Sequence, residues 1–216
     1  SSSTDIDESG KTNIGKGIAN VTVVADPVSG IPGESSVVTI TVVDDNTKLP
    51  IGGTVTIDGQ SVNIDAATGV GTYTYPIVDG TLLSGTTLTA EFSSDDYDPA
   101  SDSVTITREL IPTTTVVGEV TGTVGTTTTI NATVSAGNGR TVDQGKVTFY
   151  YDGDVIGVDE DVTDGIGIGV VFNHTIADGL ITATYVDDSE GEAKIFDTSS
   201  SSTDIDESGK TNIGKG

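Results

Sequence analysis

VVTITVVD, residues 37–44, decides the fold class. Val38, Ile40 and Val42 alternate with Thr39, Thr41 and Val43. In a strand, successive side chains point to opposite faces, so this alternation puts Val38, Ile40 and Val42 on one apolar face. The residues are β-branched, stiff at χ1, and pack well on a pleated surface. The same pattern recurs on both sides. Asn20–Ala25, GTVTID (53–58), SVNI (61–64), VGTYTYP (70–76), TTLTAEF (86–92) and DSVTIT (102–107) all read as strands, and the GQ between GTVTID and SVNI reads as a hairpin turn.

The second half follows the same rules. TTTVVGEV begins at 113, and TTTINATV (127–134) puts Thr128, Ile130, Ala132 and Val134 on one face. KVTFYYD (146–152) turns Val147, Phe149 and Tyr151 inward, and its DG bends the chain towards VIGV. IGIGVVF (166–172), LITATYV (180–186) and AKIF (193–196) complete the set. Gly167 and Gly169 weaken their strand and mark a bulge or a close backbone approach. No crossover helices are visible, which disfavours a parallel βαβ fold. Short strands at this spacing predict an all-β protein of two tandem two-sheet β-sandwiches, one per half, joined by short linkers. The expected domains are residues 18–109 and 110–198, with linker segments at 1–17 and 199–216.

The linkers carry a repeat. SSSTDIDESGKTNIGKG occupies residues 1–17 and returns unchanged at 200–216, a period of 199 residues. Its Ser, Gly, Asp and Lys content is that of a connector. Identity of this length predicts a duplicated unit of linker, sandwich, sandwich, with neighbouring copies of the same unit as its partners. No secretory leader is visible, so the chain reads as a segment of something larger.

Composition narrows the function. The chain has 216 residues, 33 acidic against 9 basic, and a formal net charge of −24. A polyanion of this kind does not bind nucleic acid through a basic face. It suits saline surroundings or calcium. There is no cysteine and one histidine, His174, so thiolate chemistry and multi-histidine metal sites are excluded. No apolar run is long enough to span a membrane as a helix.

GKVTFYYDGDVIG (145–157) and LITATYVDD (180–188) resemble paired phrases of bacterial-type immunoglobulin-like repeat domains. LTAEFSSDDYDPASDSVTIT (88–107) is similar to the second phrase, Tyr97 and Pro99 included. TTTVVGEVTGTVGTTTTINATV (113–134) resembles the opening strands of such domains in adhesin-like proteins of methanogenic archaea. DSEGE departs from the pattern at the corner that follows LITATYVDD. The resemblance implies a surface stalk or adhesin array, extracellular and without enzymatic activity, which projects a distal domain towards other cells or surfaces. A self-assembling filament or sheath, with the repeated segment making subunit contacts, is the second expectation. A carbohydrate- or protein-binding module using VDDNTKLP (43–50) is a third, disfavoured by the lack of tryptophan.

Four kinds of site can be weighed on the residues. GKT (Gly10, Lys11, Thr12) is not a phosphate loop: a P-loop needs glycine where Asp5 stands, between a strand and a helix. The same stretch spaces Asp5, Asp7, Ser9 and Asn13 like the early ligands of a calcium loop, although Lys16 replaces the closing glutamate. These four and their copies Asp204, Asp206, Ser208 and Asn212 are the candidate calcium ligands. Further acidic clusters (Asp95, Asp96, Asp98, Asp102; Asp159, Glu160, Asp161, Asp164; Asp187, Asp188, Glu190, Glu192) read either as calcium sites or as a solvated acidic face. Asn20, Asn131 and Asn173 head glycosylation sequons. Covalent Lys–Asn or Thr–Gln crosslinks are not expected, since Lys146, Lys194, Gln60 and Gln144 lack suitable partners in the pattern.

Overall fold

A computed structural model describes residues 15–118, 120–123, 129–151, 153–157, 160–168, 181–201 and 211–214. The chain forms two compact units. The first comprises residues 15–30, 34–77 and 85–107, and the second comprises 31–33, 78–84 and the chain from Arg108 onward. Among the described residues there is no α-helix, only one 3₁₀ turn at Gly191–Ala193.

In the first unit one sheet holds β1 (Gly17–Asp26), β3 (Ser35–Asp44), β6 (Val70–Pro76) and β8 (Tyr97–Asp98), in the order β6-β3-β1-β8. The other holds β2 (Ser29–Gly30), β4 (Gly53–Ile57), β5 (Gln60–Ile64), β7 (Thr86–Phe92) and β9 (Ala100–Arg108), in the order β2-β9-β7-β4-β5. First, second and fifth long strands on one sheet, third, fourth, sixth and seventh on the other: this is the immunoglobulin-like sandwich arrangement. Val38, Ile40 and Val42 are fully buried, as their alternation requires. They pack with Val55, Ile57, Leu88, Ala90, Phe92 and Ile106 from the facing sheet. Burying side chains of this size stabilises by roughly 1.5–3 kcal/mol each. The open side of β1 is covered by a carboxylate: the Val23 amide donates to Asp102 Oδ2 at 2.8 Å. An acid placed there satisfies the edge and blocks further strand pairing.

The second unit contains β10 (Thr113–Val117), β11 (Val120–Thr123), β12 (Asn131–Ala136), β13 (Lys146–Tyr151), β14 (Asp154–Val155), β15 (Glu160–Thr163), β16 (Ile166–Ile168), β17 (Ile181–Val186), β18 (Ser199–Ser200) and β19 (Thr211–Gly214). Here the two faces are continuous, in the order β10-β12-β16-β15-β13-β17-β18, because β15 pairs with both β13 and β16. The sheet folds over so that β10 comes beside β17 and β18. Ile130, Ala132, Val134, Val147, Phe149, Ile181, Ala183 and Tyr185 fill the interior.

Two local readings change. The β4–β5 turn is Asp58-Gly59, one residue earlier than GQ, with φ of 50° and 70°. Two left-handed residues are what a two-residue hairpin needs, and Asp-Gly supplies them. AKIF (193–196) is not a strand. Ile195 and Phe196 are adjacent yet both buried, which alternation forbids. Their amides leave the ladder and donate to Asp187. The strand that ends this sheet is β18, further on. Gly167 answers the expectation of close approach: a Cβ there would lie 2.9 Å from Val147 Cγ2. Thr128 and Gly169 lie outside the described residues.

Candidate functional site

The second copy of the repeated segment begins inside the second unit. Ser200 lies in β18 and pairs with Thr184. Ser201 is buried; its amide donates to the Ala183 carbonyl at 2.8 Å, and its hydroxyl accepts the Ala183 amide at 2.9 Å. Further along the same copy, β19 lies parallel to β11, with Val120 opposite Thr211 and Thr123 opposite Gly214. Both described parts of this copy therefore belong to the second unit.

In the first copy, the equivalent of β19 ends at Gly15, and Gly17 already belongs to β1. Gly17 pairs with Tyr97, and its amide donates to the Asp96 carbonyl at 2.8 Å. A Cβ there would meet the Tyr97 ring at 2.7 Å, so glycine lets the entering chain pass under the ring. Lys16 Nζ donates to the Ser94 carbonyl at 3.0 Å.

In the second unit, β10 and β18, at the two ends of the larger sheet, meet along a seam. Ile111 bridges Phe196 in parallel, its amide donating to the Ile195 carbonyl at 2.8 Å while the Asp197 amide donates back to Ile111 at 2.9 Å. Thr113 Oγ donates to the Asp197 carbonyl at 2.8 Å, and Thr115 Oγ lies 2.7 Å from Ser199 Oγ.

Asp187 locks the corner before the seam. It is 2% exposed, and its Oδ2 accepts from the amides of Ile195 (2.8 Å) and Phe196 (3.1 Å) and from Gln144 Nε2 (2.6 Å). Its Oδ1 accepts the Ser189 amide at 3.1 Å. Burial alone would raise its pKa, but the amides of Ile195, Phe196 and Ser189 and the Ser189 hydroxyl outweigh it and hold the carboxyl below its ordinary value. Arg108 is the second buried charge, 1% exposed. Its guanidinium donates to the carbonyls of Thr81 (2.7 Å), Glu192 (2.6 Å) and Lys194 (2.6 Å). Glu192 in turn accepts the amides of Leu83 and Ser84. The loop Val78–Ser84 is fastened into the second unit by these two residues.

Among the sequence candidates, Asp5, Asp7, Ser9, Asn13, Asp204, Asp206, Ser208 and Asn173 lie outside the described residues, and Asn212 is placed in β19 by its backbone. Among the described residues, no group of three or more acidic or histidine side chains converges as a metal cage. Asn20 and Asn131 are exposed on strands, each with its sequon threonine (Thr22, Thr133) on the same outer face. The sequence leaves Asp187 and Glu192 between a calcium site and a solvated acidic face; the structure uses both as backbone acceptors. Lys146 stands 3.5 Å from Asp188 in a half-exposed ion pair.

No protein-family model matches this chain, and no curated protein matches it. The chain aligns with several solved structures. The titin domains Z1Z2 in complex with telethonin align over 94% of this chain and 100% of that one, at 13% identity and a TM-score of 0.44. The Yersinia pseudotuberculosis adhesin InvE aligns over 91% of this chain and 61% of its own, at 16% identity and a TM-score of 0.36. The four N-terminal Ig domains of a Dscam1 isoform align over 94% and 48%, at 11% identity and a TM-score of 0.40. At these values the likenesses say nothing of function; the assignment to the immunoglobulin-like class follows from the strand order itself.

Proposed function

We propose that this chain is a structural repeat of an extracellular surface stalk or adhesin, whose task is to project and link surface modules under load. The observation that carries this reading is the identical segment at a period of 199 residues, seated at both ends of its second copy in the second unit. A repeat whose connector is part of its sandwich suits an array in which each unit contacts its neighbours. The parallel seam at Ile111 and Phe196 resists extension by shear. The acidic surface keeps such an array soluble, and the exposed Asn20 and Asn131 offer glycan positions.

The test is immunogold labelling of intact source cells with antibodies raised against the folded chain. External labelling along thin projections is expected. Labelling that appears only after lysis overturns the reading. A second reading is favoured by the strand β19 on β11: a filament or sheath subunit would use this edge between molecules, by strand addition. Electron microscopy of the native material distinguishes the two, since a filament subunit forms regular fibres with an axial repeat of one two-unit chain.

A further inference from the structure

The geometry points to a joint of one residue between successive copies of this chain. This inference rests on the tandem-repeat reading above. Composition alone makes the repeated segment a tether. A free chain of 17 residues has a root-mean-square span of roughly 20–25 Å and an extended reach of roughly 55 Å. The two copies seen here, taken together, describe something shorter.

The second copy shows what the segment does towards the unit before it. Ser200 continues β18, Ser201 is buried against Ala183, and Thr211–Gly214 forms β19 on β11. The first copy shows what it does towards the unit after it. Gly17 opens β1, with its amide on Asp96 and its Cα under the Tyr97 ring, and Lys16 reaches the Ser94 carbonyl. The copies are identical, so in a continuous array one segment does both. Gly214 corresponds to Gly15 and Gly216 to Gly17. Only the residue at Lys16, repeated as Lys215, lies between the strand docked on the preceding repeat and the strand that starts the following one. Its side chain is bonded to the following repeat, which leaves its backbone as the hinge.

The acceptor is the edge of Val120–Thr123, and its occupant is the Thr-Asn-Ile-Gly stretch of the segment that follows. Pairing is through main-chain groups, which gives a fixed register. The pattern also accounts for the glycine after the lysine, since a Cβ at Gly17 would meet the Tyr97 ring.

Two measurements test this. On the full chain, hydrogen exchange reads the amides of Thr211–Gly214. Exchange on the order of 100-fold slower than in the free peptide SSSTDIDESGKTNIGKG is expected for a docked strand; exchange at the peptide's rate overturns the docking. On a chain of two consecutive repeats, nitroxide labels are placed through Val155→Cys in the first copy and Leu49→Cys in the second. Both positions are exposed, and the protein has no other cysteine. A distance distribution only a few ångströms wide is expected, against the tens of ångströms of a free tether. The same two-repeat chain with Thr211, Asn212 and Ile213 of the first copy each changed to proline, which removes the main-chain donors of the docking stretch, gives the reference width. A native distribution as broad as that reference overturns the joint. Neither readout depends on where the protein resides, so failure of the surface-stalk reading is seen separately in the cell labelling.

Discussion

Two buried charges organise the second unit at the residue scale. Asp187 gathers four donors that have no place in a ladder, and Arg108 gathers three carbonyls from two loops. Removing such a hub costs more than adding it gained, because its partners are left buried and unpaired. Asp187→Asn keeps the shape but replaces an oxygen that accepts amides with a group that donates. We expect a loss of about 2–3 kcal/mol near neutral pH, read from urea midpoints. The pH dependence has a defined sign. The folded pKa of Asp187 is depressed, so its stabilisation is full above the ordinary carboxylate pKa of about 4 and is lost as pH falls through and below that value. The curves of the native protein and the Asn variant should separate at pH 5–7 and converge in acid. A constant gap down to pH 2 would contradict this. Asp187 was not legible as a hub in the sequence. DDSE looks like any solvated acidic turn, and nothing local says that Ile195 and Phe196 fold back over it.

Among the described residues, most of the longer strands and their inner faces were legible at the scale of elements. VGTYTYP and TTLTAEF span β6 and β7 as read, and Val147 and Phe149 are fully buried. Alternation is a local property, and a sheet with one buried face imposes it on every strand. AKIF failed because its two apolar residues are neighbours, a pattern that no half-buried strand accepts. The phrase GKVTFYYDGDVIG also contains a residue whose need only packing explains. Gly145 has φ of 86°, and a Cβ there would lie 2.6 Å from the Val186 carbonyl and 2.7 Å from the Tyr185 ring. Both the backbone angle and the space demand glycine. Gly145→Ala should destabilise the chain by about 2–3 kcal/mol through strain and overlap, measured by chemical denaturation. Gly153→Ala is the control: it also has positive φ (88°) but meets nothing, so it should cost less.

Charge is the dominant property of the whole molecule. A formal charge of −24 on 216 residues repels itself, and screening weakens that repulsion. The melting temperature should therefore rise as sodium chloride goes from about 0.01 M, where the Debye length is about 30 Å, to about 1 M, where it is about 3 Å. Scanning calorimetry checks this; a flat or falling curve would show that the acids are spaced to avoid one another. Calcium chloride at matched ionic strength isolates binding from screening. Stabilisation beyond that of sodium at millimolar calcium, removed by chelator, is the outcome expected if Asp5, Asp7, Ser9 and Asn13 close around the ion.

The sequence by itself determined the all-β class, most of the longer strands, their buried faces and the 199-residue period. These follow from alternation and identity, which are read along the chain. The tertiary structure decided the rest. It chose which acids are buried, since that depends on amides brought from eight or more positions away. It gave the loop Val78–Ser84 to the second unit through Arg108 and Glu192. It also seated the repeated segment on Val120–Thr123, some ninety residues earlier in the chain. A polar stretch with few apolar side chains shows no strand pattern. It becomes a strand because a free backbone edge lies within its reach, and hydrogen bonds between main chains need no particular side chains.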